Sequence, residues 1–151
     1  MNKINLNISL LKNAVGKPYY ASENAAGLDI TAGIDKDILI KVNEYTLIPS
    51  GIKIEIPTGY EGQIRPRSGL AFKHGLTVLN SPGTIDSDYR GEIKVLIKNS
   101  GKTDFYVTPG MRIAQLILAP VSKANIRFVD KLETVSDRGE KGFGSTGTKS
   151  K

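Results

Sequence analysis

The apolar residues of this chain fall into short, evenly spaced runs, each stopped by glycine, proline or polar residues. That spacing points to a sandwich or jelly-roll-like β domain. Ile4, Leu6, Ile8 and Leu10 alternate with polar neighbours, as in a half-buried strand. Residues 25–32 set one acid, Asp29, among small residues in a further strand, where Asp29 taken alone would cap a turn. Short strands follow at 38–42, 45–48, 52–56 and 60–65, the last two stopped by Pro57 and Pro66. Residues 92–99 read as a buried strand rich in branched side chains. Residues 104–107 and 111–118 form two more, divided by Pro109-Gly110, and 125–129 the last. Only 67–75 reads as helix, with Ser68 as N-cap and Gly75 just past the carboxyl end.

A chain of 151 residues is most simply one domain, and 39% apolar with 24% charged residues is globular composition. Without cysteine there is no disulfide, thiol nucleophile or zinc–thiolate centre. With one histidine, His74, a multi-histidine metal centre is excluded within the chain. Any hydrolysis must rest on carboxylates, hydroxyls and a hard metal ion bound through oxygen. The net charge of +6 suits an anionic partner, but no run of five basic residues marks a nucleic-acid arm. The amino terminus has no long apolar stretch, so neither a secretory signal nor a membrane span is expected and a cytoplasmic location is the default.

Chemistry concentrates in a few places. Residues 83–92 pack Asp86, Asp88, Tyr89 and Arg90 between Gly83 and Gly91, ahead of a rigid strand. Such a turn carries either binding groups or a merely solvated hairpin tip. Arg67 and Ser68 at a helix start suit a phosphate, against the alternative of an ordinary surface turn of helix. His74, near the end of that helix, reads as a structural hydrogen-bonding residue. Gln115 is polar within an apolar run, so it either pairs structurally or points into a site. From Asp137 the chain turns glycine-rich and polar, the composition of a mobile terminus. Two nucleotide-loop look-alikes fail. Gly142-Phe143-Gly144-Ser145-Thr146-Gly147 lacks a preceding strand, and Gly101-Lys102-Thr103 has Leu96 where the first glycine belongs.

Five stretches in order, Ala26-Gly27-Leu28-Asp29-Ile30, Arg67-Ser68-Gly69-Leu70-Ala71, residues 83–92, Arg112-Ile113-Ala114-Gln115-Leu116-Ile117 and residues 138–147, closely resemble the trimeric deoxyuridine triphosphatase (dUTPase) family. The resemblance implies an all-β, distorted jelly-roll-like domain with one short helix, spanning 1–136, and a flexible glycine-rich lid at 137–151. It implies a homotrimer in which the carboxyl-terminal arm is exchanged. The implied reaction is hydrolysis of dUTP to dUMP and pyrophosphate with Mg²⁺, which limits uracil in DNA and supplies dUMP for dTMP synthesis. Asp86 would be the general base that activates the attacking water. Tyr89 would stack on the deoxyribose and exclude a 2′-hydroxyl, while Asn80, Gly83, Thr84, Ile85 and Lys94 frame the base. Arg67, Ser68, Gly69 and Gln115 would bind phosphates, and Asp29 would hold the hydrated Mg²⁺ through water. Arg138, Phe143, Gly144, Ser145 and Thr146 would belong to the lid.

Asp88, two residues past Asp86, would point the other way on an extended backbone and is read as structural. Lys141, where the family usually has glycine, removes some backbone freedom from the lid. The rival readings are a dCTP deaminase-like member of the fold, a catalytically silent dUTP sensor, and a single-strand-binding β domain. Neither stable nucleic-acid binding nor a membrane partner is expected.

Overall fold

The structure is a computed structural model, describing residues 3–132, 136 and 139–142. Among these residues the chain order is β1 (Asn7–Leu10), β2 (Tyr19–Tyr20), β3 (Leu28–Thr31), β4 (Ile38–Ile40), β5 (Tyr45–Glu55), β6 (Tyr60–Arg65), α1 (Ser68–His74), β7 (Leu76–Val78), β8 (Gly83–Ile85), β9 (Glu92–Asn99), β10 (Phe105–Val107) and β11 (Arg112–Pro120). One sheet runs β1-β5-β9-β7, a second β2-β3-β11-β6-β8, and β10 pairs with β4. Every pairing is antiparallel. The result is a distorted jelly-roll-like β domain with one short helix.

The core is a layer of branched side chains supplied by alternate positions of the facing strands. Ile93, Val95 and Ile97 of β9 meet Ile48 of β5, Ile40 of β4, Ile30 of β3 and Leu116 of β11, all fully buried. The sequence reads β9 as a buried strand. It is buried on one face only, because Lys94 on the alternate face is exposed and Leu96 and Lys98 are half-buried. Asn99 closes the strand inside the core, donating from Nδ2 to the carbonyls of Ile40 and Thr103 and accepting at Oδ1 from Gly101 N–H. With its donors and acceptor paired, its burial is tolerated.

Residues 45–48 and 52–56, read from sequence as separate strands, are one strand with a bulge. The register of β5 on β9 shifts between Pro49 and Lys53. Gly51 makes this possible: its φ is +74°, and a Cβ there would stand 2.4 Å from the Cα of Ala14. The Glu92 carboxylate holds the bulge by accepting from Gly51 N–H and Asn13 Nδ2, both at 2.9 Å. Residues 4–6 keep their alternation of burial, but pairing begins only at Asn7. Residues 125–129 form no strand; Ile126 and Phe128 are exposed. Their apolar pattern meets no partner strand among the described residues. No helix among those residues is long and apolar enough to cross a membrane.

Candidate active site

Two clefts hold nearly all the described candidate residues, and they lie apart. The first, of about 530 Å³, is lined by Asp29, Arg67, Ser68, Gly69, His74 and Gln115, among others. Strand β11 organises it, because Gln115 lies opposite Asp29 on β3 and opposite Arg65 on β6. Gln115 resolves its two sequence readings by doing both: it lines the cleft and donates from Nε2 to the Pro66 carbonyl at 3.1 Å. Asp29 does not cap a turn. It is buried within β3, with Oδ1 3.0 Å from Arg67 Nε and Oδ2 3.0 Å from Arg112 Nη1. The bond to Asp29, then that residue's charge, with Tyr19 contributing less, raises the pKa of the Arg112 guanidinium above its ordinary value.

The helix beside this cleft is shifted by one residue from the sequence reading. Arg67, not Ser68, is the N-cap, with extended backbone, and no side chain caps the end. Gly75 closes the other end at φ 68° in the left-handed region, as expected. A Cβ on Gly69 would meet nothing within 4 Å, so a ligand can approach its backbone. His74 packs its ring on Phe105, centroids 4.9 Å apart, in place of the hydrogen-bonding role expected of it.

The second cleft, of about 330 Å³, is lined by Leu47, Thr84, Ile85, Asp86, Tyr89, Glu92, Ile93 and Lys94. Asp86 follows β8 directly and is exposed; among the described residues no hydrogen bond or ion pair engages its carboxylate. Its carbonyl accepts from Tyr89 N–H at 3.1 Å, which makes 86–89 a turn and not the extended segment assumed for Asp88. Asp88 nevertheless lies elsewhere, lining a separate groove with Glu55 and Arg90. Arg90 Nη1 ties the turn by donating to the carbonyls of Ser87 and Tyr89. Tyr89 donates its hydroxyl to the Glu92 carbonyl at 3.1 Å, and its ring lies over Gly91 so closely that a Cβ there would be 2.2 Å from the hydroxyl oxygen. Asn80 and Gly83 line neither cleft; Asn80 Nδ2 stands 3.1 Å from where a Gly83 Cβ would lie.

The register of β8 on β6 sets the separation. Ile85 lies opposite Gly62 and Gly83 opposite Ile64, so the chain reaches Asp86 moving away from Arg65 and Arg67. At ~3.3 Å per residue, Arg65 at the end of β6 stands about 10 Å along the strand from Gly62, the position that faces Ile85. Arg138, Phe143, Gly144, Ser145 and Thr146 lie outside the described residues. The sequence places Arg112 in a family-like stretch but gives it no role of its own; the signal for one is a cation at the head of an apolar strand that also carries Gln115.

Among the described residues no three histidine, cysteine or acidic side chains stand together as a metal-holding group. Among the described residues Asp29 is the one carboxylate lining the first cleft, and each of its oxygens already accepts from an arginine. A second lone pair on each oxygen still accepts from water. The site therefore suits Mg²⁺ that arrives with its waters on a polyphosphate, and not a resident ion held by several carboxylates.

The dUTPase family model matches residues 14–147. The chain is 49% identical to the deoxyuridine 5'-triphosphate nucleotidohydrolase of Syntrophotalea carbinolica over 147 residues, covering 97% of this chain and 99% of that one. It is 57% identical to the enzyme of the same name from Mesorhizobium japonicum over 133 residues, covering 87% and 82%. Its fold matches the Staphylococcus bacteriophage 80alpha dUTPase solved with dUpNHpp at a TM-score of 0.88 and 29% identity, covering 97% of this chain and 100% of the other. Alike in sequence over nearly its whole length and alike in fold, the chain belongs to the dUTPase family.

Proposed function

We propose that the protein hydrolyses dUTP to dUMP and pyrophosphate, with Asp86 as general base. The observation that carries this is the open Asp86 carboxylate, in a cleft walled by the Tyr89 ring. Asp86 takes a proton from water as the water oxygen bonds to the α-phosphorus; the bond to the bridging oxygen breaks and pyrophosphate leaves. Tyr89, fixed by its bond to the Glu92 carbonyl, covers the deoxyribose and leaves no room for a 2′-hydroxyl. Thr84, Ile85 and Lys94, with Asn80 and Gly83 behind them, frame the uracil. A pocket whose polar groups go unpaired with the wrong base discriminates strongly.

Arg67, Ser68, Gly69 and Gln115 bind the phosphates in the other cleft, and Asp29 would hold a hydrated Mg²⁺ through water. The chemistry such an ion would supply there, bound with the triphosphate, is charge neutralisation at the departing pyrophosphate. Arg138, Phe143, Gly144, Ser145 and Thr146, outside the described residues, are assigned to the substrate on the family resemblance alone.

A general base must lie within hydrogen-bond reach of its water, directly at the phosphate chain. Within one chain Asp86 and Arg67 line separate clefts that share no residue. The complete site is therefore built between copies in a homotrimer, Asp86 and Tyr89 from one and Arg67 and Asp29 from another. The exposed Ile126, Phe128 and Leu132 beyond β11 support an arm that a neighbouring copy covers. Pyrophosphate release from dUTP, UTP, dCTP and dTTP, for the native chain and Asp86→Asn, tests the assignment. Turnover of dUTP alone, lost in the variant, is expected. Deamination of dCTP, or dUTP binding without turnover, would overturn it.

A further inference from the structure

We propose that Arg112 is a positioning residue for the phosphate cleft, fixing the Arg67 guanidinium through the shared Asp29 carboxylate. The proposal rests on the reading of Arg67 as a phosphate ligand. Three contacts close a triangle. Arg112 Nη1 is 3.0 Å from Asp29 Oδ2, Arg67 Nε is 3.0 Å from Asp29 Oδ1, and Arg67 Nη1 donates to the Arg112 carbonyl at 3.3 Å. Arg67 is thus held at two of its nitrogens, both by groups that Arg112 supplies or orients. Its remaining N–H groups are left for a ligand in the cleft it lines.

The backbone is shaped to allow this. Residues three apart on a regular strand face opposite ways. Arg112 and Gln115 are three apart, yet Arg112 lies opposite Thr31 and Gln115 opposite Asp29, which are two apart and so share a face of β3. The register shift between Arg112 and Ala114 absorbs the extra residue, and consecutive Ile113 and Ala114 are both buried. A bulge of this kind re-aims a side chain. Here it brings Arg112 onto the Asp29 face.

The Asp29 side chain is 9% exposed, so its charge-assisted bonds work largely out of water. Tyr19 stands opposite Asp29 on β2. With Arg112 truncated, Oδ2 loses its fixed partner and the carboxylate is free to turn, carrying Arg67 Nε with it. Arg112 is itself partly exposed, so the competing role to be separated is direct contact with substrate.

Calorimetric binding of dUpNHpp with Mg²⁺ and of deoxyuridine, which has no phosphate, separates these roles. The proteins are the full chain, Arg112→Ala, Arg112→Lys, Arg67→Ala and the double Arg67→Ala/Arg112→Ala. Arg112→Ala is expected to weaken dUpNHpp binding about tenfold and deoxyuridine less than about twofold. Arg112→Lys, with its charge but without the planar fork, recovers part of the loss. The double variant binds within about twofold of Arg67→Ala, as coupled residues require. Native dUpNHpp affinity in Arg112→Ala overturns the proposal, as do losses that multiply in the double variant or an equal loss for deoxyuridine. Unchanged affinity in Arg67→Ala refutes the phosphate-site reading itself, and that arm alone reports it.

Discussion

Asp29 and Asp86 are both carboxylates in clefts of one chain, yet their surroundings are opposite. Asp29 is buried in a strand and gripped by two arginines, while Asp86 stands exposed at a turn with no side-chain partner among the described residues. A carboxylate whose oxygens are already committed suits holding other groups in place. One with open lone pairs is available to accept a proton. The first cleft is thus a fixed cradle and the second an open chemical edge. The two clefts share no lining residue, and the proposed function joins them between copies of the chain.

The sharpest break in the comparison is Asp86→Asn. It is expected to lower dUTP turnover on the order of 10²–10⁴-fold, the range for a lost general base. Affinity for dUpNHpp should stay within about twofold; an equal loss of affinity would make Asp86 a binding group like Asp29. Next in size, Asp29→Asn should lower stability to denaturant by about 1–2 kcal/mol, a figure reduced because both arginine partners are partly exposed. It should also weaken dUpNHpp binding, whereas unchanged stability and affinity would remove Asp29 from the cradle. The smallest effect is expected at Gly91→Ala, whose Cβ would lie 2.4 Å from the Tyr89 ring carbon that bears the hydroxyl. The exposed ring has room to swing, and the preference for dUTP over UTP should fall by about tenfold or less. Unaltered preference would mean that Tyr89 does not gauge the sugar.

Much of this is legible in the sequence. Strands β6 and β9 keep the bounds read for them, 60–65 and 92–99, because Pro66 stops the first and branched residues carry the second. β8 escaped notice: three residues beginning with glycine hold no period, and its pairing to β6 gives it its place. β5 was split in two since Pro49-Ser50-Gly51 reads as a stop, while Glu92, distant in sequence, holds the bulge together. Ser68 and Arg67 exchanged roles at the helix start, the ordinary uncertainty of a boundary. The types of residue in the site were readable, but their division between two clefts was not. That division follows from antiparallel register, which no local pattern states.

Mixing two inactive variants tests most directly whether the site is shared between copies. Asp86→Asn and Arg67→Ala chains, each purified, would be unfolded together, refolded at equal amounts and assayed for pyrophosphate release from dUTP. Random trimers should contain sites with a native Asp86 from one chain and a native Arg67 from another, restoring roughly a quarter of native turnover. A mixture as inactive as its two components, with mixed trimers present by mass, would contradict the account and return the whole site to a single chain.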